Sequence, residues 1–172
     1  SDVYKRQNNG CTFLNGDSSL EQLIKNTEID IIICATSGFA GLKAASIAVT
    51  TGKKILLANK ESIVAGGDLI MPLAKKHTSE IIPIDSEHNA IFQCLSGENG
   101  IDDVQKVTIT ASGGPFLNSP ISDLKNVTLD QALNHPNWEM GNKVTIDSAT
   151  LVNKCLELIE AKYLFNLEEN IF

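Results

Sequence analysis

Residues 30–35 form a short, almost wholly apolar run rich in Ile, the pattern of a strand buried on both faces. The run breaks at Thr36-Ser37-Gly38-Phe39-Ala40-Gly41, a turn of small residues. Residues 42–50 are then Ala-rich with apolar positions at helical spacing, until Gly52 supplies a stop. A second apolar run over residues 54–58 follows at once, so residues 30–58 predict a strand, a helix and a parallel strand: one α/β crossover unit. Residues 61–76 predict a further helix, kinked or split by Pro72, and residues 80–85 a third strand.

Beyond Asp85 the alternation changes. Residues 89–95 predict a short helix, residues 104–111 a strand of alternating pattern, and Ser112-Gly113-Gly114-Pro115 a sharp turn. A polar stretch over residues 122–133 contains a short helix, residues 134–142 form an irregular loop, and residues 143–147 a brief strand. A long helix is expected from about residue 149 to 164, capped by Ser148 or Asp147, with Leu151, Val152, Cys155, Leu156, Ile159 and Tyr163 on its buried side. The parallel unit has the pattern of the second half of a dinucleotide-binding domain, yet no Gly-x-Gly-x-x-Gly turn accompanies it. The expected class is α/β: the C-terminal half of a Rossmann-like parallel-sheet domain over residues 1–84, then a mixed α/β unit over residues 85–172.

Composition narrows the partners. The 172 residues are 42% hydrophobic and 20% charged, which suits a folded chain with one or two modest cores. A net charge of -7 argues against nucleic acid as the main partner, because a surface that tracks phosphates needs surplus Lys and Arg. It leaves an anionic small substrate open, since a few local donors or a bound cation can reverse the field inside a pocket. Cys11, Cys34, Cys94 and Cys155 are widely spaced, with no Cys-x-x-Cys pair, and read as reduced core thiols. No run approaches the roughly 18 apolar residues of a membrane span, and no membrane partner is expected. Residues 1–7 are polar and without period, like an appended segment, so targeting is not legible there.

Several positions carry candidate chemistry. Asp85 and Glu87 lie two apart at the end of a predicted strand, where their side chains can point to one side and share a cation. All-oxygen ligation favours Mg²⁺ or Mn²⁺ over zinc; a solvated surface pair is the plain alternative, and His88 beside them reads as structural. On the long helix Asn153 and Glu157 are four apart on one face, bordered by Lys154. With Ser148 at the expected helix start, they make a phosphate cradle with a metal ligand one turn deeper, or else the exposed side of an amphipathic helix. Ser112-Gly113-Gly114 offers a hydroxyl and close backbone approach to phosphate oxygens, or a plain tight turn. Residues 135–141 put His135, Trp138 and Met140 in a loop, either closing over a ligand or docking on the core. Asn59-Lys60-Glu61 follows the second strand, where ligands meet open α/β sheets, though Asn59 alone explains a helix cap.

The joint order of these motifs is more specific than any one of them. Leu56-Leu57-Ala58-Asn59-Lys60-Glu61-Ser62, Ile84-Asp85-Ser86-Glu87-His88-Asn89-Ala90, Ala111-Ser112-Gly113-Gly114-Pro115-Phe116, the 135–141 loop, and Asp147-Ser148-Ala149-Thr150 followed by Asn153, Lys154 and Glu157 together resemble the 1-deoxy-D-xylulose 5-phosphate reductoisomerase family. The resemblance covers roughly residues 30–164. It implies Asp85, Glu87 and Glu157 as ligands of Mg²⁺ or Mn²⁺. It implies Ser112, Ser148, Asn153 and Lys154 around the substrate phosphate, Lys60, Ser86 and His135 on the substrate, and Asn59, Glu61 and Gly141 on NADPH. Lys60, Glu87 and His135 become the expected catalytic contacts, within a catalytic domain over residues 85–172 whose lid is the loop 134–142, carrying Trp138 and Met140.

The reaction so implied converts 1-deoxy-D-xylulose 5-phosphate to 2-C-methyl-D-erythritol 4-phosphate, by retro-aldol and aldol steps followed by hydride transfer from NADPH. The family's glycine-rich NADPH turn and C-terminal helical domain are missing from this sequence, so the isolated chain is expected to bind NADPH poorly and turn over little. The resemblance also implies a homodimer at full length, in the cytoplasm of a bacterium or a plastid. A phosphosugar aldolase or isomerase without redox chemistry and a non-catalytic fragment are the competing readings.

Overall fold

The computed structural model describes residues 14–97 and 100–168. After helix α1 (Asp17–Lys25), strands β1 (Ile31–Cys34), β2 (Lys54–Leu57) and β3 (Glu80–Pro83) form a parallel sheet in the order β1-β2-β3. Helices α2 (Gly41–Ala48) and α3 (Lys60–Lys76) make the two crossovers. The register pairs Cys34 with Leu57 and Leu57 with Pro83, so all three strands end level and the residues after β2 and β3 emerge side by side.

Register follows from one apolar face. Ile32, Cys34, Ile55 and Leu57 point into a core completed by Ala44, Ala45 and Ala48 of α2 and Ile63, Ile70 and Ala74 of α3. Burying one Ile or Leu side chain is worth roughly 1.5–3 kcal/mol, and slipping a strand by one residue would turn that set outward. The expectation of a first strand buried on both faces needs correction: Ile31 and Ile33 are 51% and 64% exposed. Both crossover helices pack on the face of Ile32, Cys34, Ile55 and Leu57, as right-handed crossovers stepping in one direction require.

Elsewhere the structure moves several expected boundaries. The interruption in α3 lies at Gly66 (φ -138°), not at Pro72, which the helix carries inside its run. Helix α4 (Ser86–Leu95) starts three residues earlier than expected because Asp85 takes the position before it, its carbonyl accepting from Asn89 N at 2.8 Å. Residues 104–111 keep an alternating burial pattern at Val107 to Thr110 but pair with no described strand, and without a ladder there is no strand. After a short helix α5 (Leu129–Leu133), residues 143–147 are helical rather than extended, within α6 (Asn142–Ala149). Their β-branched run suggests a strand, yet the Lys143–Asp147 ion pair one turn apart and the Thr145 hydroxyl bonded to Gly141 O suit a helix.

The single long helix expected from residue 149 is two helices. Helix α6 stops, Leu151 takes a left-handed conformation (φ 60°), and α7 (Val152–Phe165) begins. Gly114 packs into this junction: a Cβ there would stand 2.8 Å from Ser148 O. Helix α7 crosses α3 where Gly67 leaves room for the Tyr163 ring, 2.6 Å from where its Cβ would be. That crossing keeps Leu156 and Tyr163 partly buried, Tyr163 against the core, but changes the rest of the expected burial of α7. Glu157 and Glu160 are buried, while Leu151, Val152, Cys155 and Ile159 are exposed. Cys94 is exposed too, so of the expected core thiols only Cys34 is buried among the described residues; Cys11 and residues 1–7 lie outside them.

Candidate active site

Three elements bring their polar ends together at the carboxyl edge of the sheet. Asn59 caps α3, its carboxamide oxygen accepting from Ser62 N at 2.9 Å, which sets Lys60 at the first helical position. One strand over, Asp85 and Glu87 converge through the turn into α4 rather than along an extended strand, since β3 already ends at Pro83. Helix α7 supplies Asn153, Lys154 and Glu157 from the side facing α3 and α4.

Oxygens of Asp85, Glu87 and Glu157 all lie within 4.8 Å of one another. Lys60 Nζ sits among them, 2.9 Å from Asp85 Oδ2, 3.0 Å from Glu157 Oε1 and 2.8 Å from Asn153 Oδ1. Lys154 Nζ bridges Glu87 Oε1 at 3.0 Å and Glu157 Oε2, and also donates to Thr110 O at 2.6 Å. Glu157 Oε2 faces Lys154 as an ion pair without hydrogen-bonding geometry, so a buried lone pair remains directed into the cluster. Ser86 Oγ donates to Glu87 Oε2 at 2.6 Å.

Charge balance is visible in the protonation equilibria. Burial pulls the Lys60 ammonium down, but Asp85 and Glu157 outweigh it and hold the group above its usual range. Burial pushes the Asp85 carboxyl up, and the His88 hydrogen bond with the Lys60 charge brings it well below the usual carboxylate range. His88 is fully enclosed: Nδ1 is 3.0 Å from Asp85 Oδ1 and 3.3 Å from Glu160 Oε2, and Nε2 donates to Glu157 O at 2.9 Å. Burial lowers this imidazole, but hydrogen bonding to Asp85 and the Glu160 charge raise it overall. Glu160 itself is pushed up to about 7 by burial, against the pull of His88.

A cleft of about 430 Å³ opens beside the carboxylates. Its lining takes in the expected metal and substrate residues Lys60, Asp85, Ser86, Glu87, Ser112, His135, Ser148, Asn153, Lys154 and Glu157, with Trp138 and Met140 at the same opening. Ser112 Oγ meets His135 Nε2 at 3.1 Å, while His135 Nδ1 accepts from the Asn137 and Trp138 backbone N–H groups. The ring therefore carries its proton on Nε2 when neutral. Ser148 enters from the last turn of α6, not as the cap of a long helix, so the expected helix-start cradle is instead a pocket between two helices and the Gly113-Gly114 turn. Trp138 is 66% exposed, so this loop aromatic has not docked on the core.

The three expected NADPH residues lie apart from that cleft. Asn59 and Glu61 line a neighbouring cavity of about 70 Å³ at the ends of β1 and β2, and Gly141 precedes α6. The Asn59 side chain is spent on Ser62, Gly38 O and Glu61. Burial pushes the Glu61 carboxyl up, but it pairs with Lys143 at 2.7 Å and ends below its usual range. Sequence reasoning missed Lys143 and Glu160 and set His88 aside. The spacing of Glu160 three residues after Glu157 was the available signal, because those positions share a helix face.

Comparison with known proteins gives the family of the chain. Residues 81–165 match the family model for the 1-deoxy-D-xylulose 5-phosphate reductoisomerase C-terminal domain, and residues 1–67 match that for 1-deoxy-D-xylulose 5-phosphate reductoisomerase. The chain is 51% identical over 152 residues to the 1-deoxy-D-xylulose 5-phosphate reductoisomerase of Pelotomaculum thermopropionicum, covering 88% of this chain and 39% of that protein. The enzyme of the same name from Bacteroides fragilis is 51% identical over 153 residues, covering 89% and 39%. Among solved structures, a reductoisomerase in complex with NADPH, fosmidomycin and magnesium superposes with a TM-score of 0.84 at 47% identity, over 91% of this chain and 40% of that one. The Zymomonas mobilis enzyme in complex with NADPH gives 0.80 at 42% identity, over 90% and 39%. The chain thus spans about two fifths of the length of these relatives, and across that span it belongs to the 1-deoxy-D-xylulose 5-phosphate reductoisomerase family.

Proposed function

We propose that this chain carries the metal- and phosphate-binding part of an enzyme that uses NADPH and Mg²⁺ or Mn²⁺ to isomerise and reduce 1-deoxy-D-xylulose 5-phosphate to 2-C-methyl-D-erythritol 4-phosphate, a step of isoprenoid precursor synthesis by the non-mevalonate route. The observation that supports it most is the meeting of Asp85, Glu87 and Glu157 within 4.8 Å, beside a cleft lined by Lys154, Ser112 and Ser148. These residues fit a hard divalent ion. Every donor is oxygen, one buried Glu157 lone pair points into the cluster, and oxygens on one Mg²⁺ at about 2.1 Å sit about 3–4 Å apart, so small side-chain movements suffice.

In that reading an ion held by Asp85, Glu87 and Glu157 supplies Lewis-acid stabilisation of charge developing on the ketone and hydroxyl oxygens while the carbon skeleton breaks and rejoins. NADPH supplies the hydride, with Asn59, Glu61 and Gly141 as its candidate contacts at the sheet edge where dinucleotides meet α/β folds. Lys154, Asn153, Ser112 and Ser148 anchor the phosphate by ammonium, amide and hydroxyl donors, which keeps the fragments in place between steps. Lys60 and Ser86 orient the oxygens nearest the carboxylates, and His135 Nε2–H is a donor at the opposite wall. Trp138 and Met140 close over the sugar and exclude water, strengthening these polar contacts.

The domain division near residue 85, the lid at 134–142 and a homodimer at full length belong to the same proposal. Metal-dependent NADPH consumption with 1-deoxy-D-xylulose 5-phosphate, by the chain within its full-length protein, tests the activity. Glu157→Gln is expected to abolish turnover with an unchanged circular dichroism spectrum, and an unaltered rate in that variant removes the site. A stereospecific hydride-transfer assay separates this reading from a phosphosugar aldolase or isomerase without redox chemistry.

A further inference from the structure

Behind the three carboxylates lies a second layer of charge with no place in the chemistry above. His88 is 0% exposed and Glu160 is 1% exposed. The imidazole touches two of the three proposed metal ligands at once: Nδ1 faces Asp85 Oδ1 at 3.0 Å, and Nε2 lies 2.9 Å from the backbone oxygen of Glu157. A carbonyl oxygen only accepts, so Nε2 carries a proton, while Nδ1 faces one oxygen of Asp85 and one of Glu160. The ring is enclosed and stacked on Phe165, with 6.4 Å between centroids.

A buried ring in that position needs a partner at Nδ1 that is not itself committed to a metal. Asp85 cannot fully serve, because its other oxygen is held by Lys60 and its charge belongs to the cluster. Glu160 Oε2 lies 3.3 Å from Nδ1 but outside hydrogen-bonding geometry, and no described group hydrogen-bonds it. Burying a carboxylate oxygen in that condition costs free energy, so its position is better explained by its place opposite His88 Nδ1 than by stability. Glu160 also shares a helix face with Glu157, so one turn of α7 presents a proposed ligand and the partner of the residue that grips that ligand's backbone.

We propose that Glu160 is a positioning residue of the metal site, acting through His88: it packs against Nδ1 and holds the imidazole, which in turn fixes the Asp85 carboxylate and the Glu157 backbone that the ion requires. The proposal rests on the reading of Asp85, Glu87 and Glu157 as metal ligands. Carboxylates and imidazoles behind a metal's ligands typically change its affinity 10–100-fold when replaced.

The test is a double-mutant cycle on Mn²⁺ affinity, measured at pH 8 on the whole 172-residue chain by titration calorimetry, with electron paramagnetic resonance of the bound ion. Glu160→Gln, which keeps the size of the side chain, is expected to weaken Mn²⁺ binding about tenfold and to alter the zero-field splitting. In the background of His88→Asn the same change is expected to cause no further loss, because the path from Glu160 to the ligands is already cut. If Glu160→Gln does not fold by circular dichroism, Glu160→Leu, which leaves no buried polar group, takes its place in the cycle. An unchanged affinity in the Glu160 variant, or losses that add in the double variant, overturns the proposal. Mn²⁺ binding by the unaltered chain separately decides the metal reading; without it both fall.

Discussion

Lys60 reaches Glu157 across 97 positions of sequence, its Nζ 3.0 Å from Oε1, and so joins the start of α3 to the buried face of α7. This contact makes Glu157 the acid on which the proposed metal site depends, since the other two proposed ligands already share one turn. Glu157→Gln leaves Lys60 and Lys154 with one fewer anion and removes a charged oxygen from the site. Mn²⁺ affinity is expected to fall at least tenfold, the lower end of what even residues behind the ligands produce. Calorimetric titration checks it, and an unchanged dissociation constant contradicts the ligand assignment.

Stability should depend on pH in a direction set by His88 and Glu160. Glu160 is raised from 4.5 to about 7 in the fold, so the folded state holds a proton that the unfolded chain has released. Its contribution is complete below the unfolded value and is lost as pH rises through about 7; His88, also raised, adds a loss of the same sign above its ordinary value of 6.5. Asp85, lowered, contributes in the opposite sense: its stabilisation is present above about 3.9 and lost as pH falls toward its folded value. Thermal midpoints in chelator are therefore expected to fall between pH 5 and 8, and Glu160→Gln should flatten that slope. A slope unchanged in the variant contradicts the assignment of Glu160.

Gly114→Ala probes the junction on which Ser148 and the Ser112 turn depend. Gly114 has φ 67°, and an added Cβ would lie 2.8 Å from Ser148 O and 3.1 Å from Ala149 Cα, both backbone. A left-handed alanine costs about 1 kcal/mol, and displacing backbone adds to it, so a loss of roughly 2–3 kcal/mol is expected in denaturant unfolding. A loss below about 0.5 kcal/mol, the range of an ordinary surface change, would mean that the turn does not pack there.

Loop 134–142 can be read through its own fluorophore, because Trp138 is the single tryptophan of the chain. His135 Nδ1 accepts from the Trp138 backbone N–H at 3.0 Å and its Nε2 meets Ser112 Oγ at 3.1 Å. Neutral His135 should appear as the Nε2–H tautomer in nitrogen-15 spectra, and His135→Ala should lower Trp138 fluorescence anisotropy. An Nδ1–H tautomer, or anisotropy indifferent to His135, contradicts the loop geometry.

The sequence by itself determined the elements whose apolar period is local. Ile32, Cys34, Ile55 and Leu57 mark the parallel strands, and the Ala positions of α2 mark a crossover, because alternation and helical spacing are properties of neighbouring residues. The identity of the cleft residues was legible as well, through the order of short motifs along the chain. What the sequence could not decide depended on partners distant along the chain. Residues 104–111 have a strand's pattern without a described ladder, residues 143–147 have β-branched side chains yet coil into α6, and Leu151 breaks one apparent helix into two. Above all, periodicity favours burying the apolar side of α7, and tertiary structure buried Glu157 and Glu160 while leaving Leu151, Val152 and Ile159 exposed and Leu156 and Tyr163 half-buried. Periodicity records only how polar each face is; whether a polar face is solvated or enclosed depends on the charges waiting opposite it, here Lys60 from the crossover helix α3 and His88 from α4.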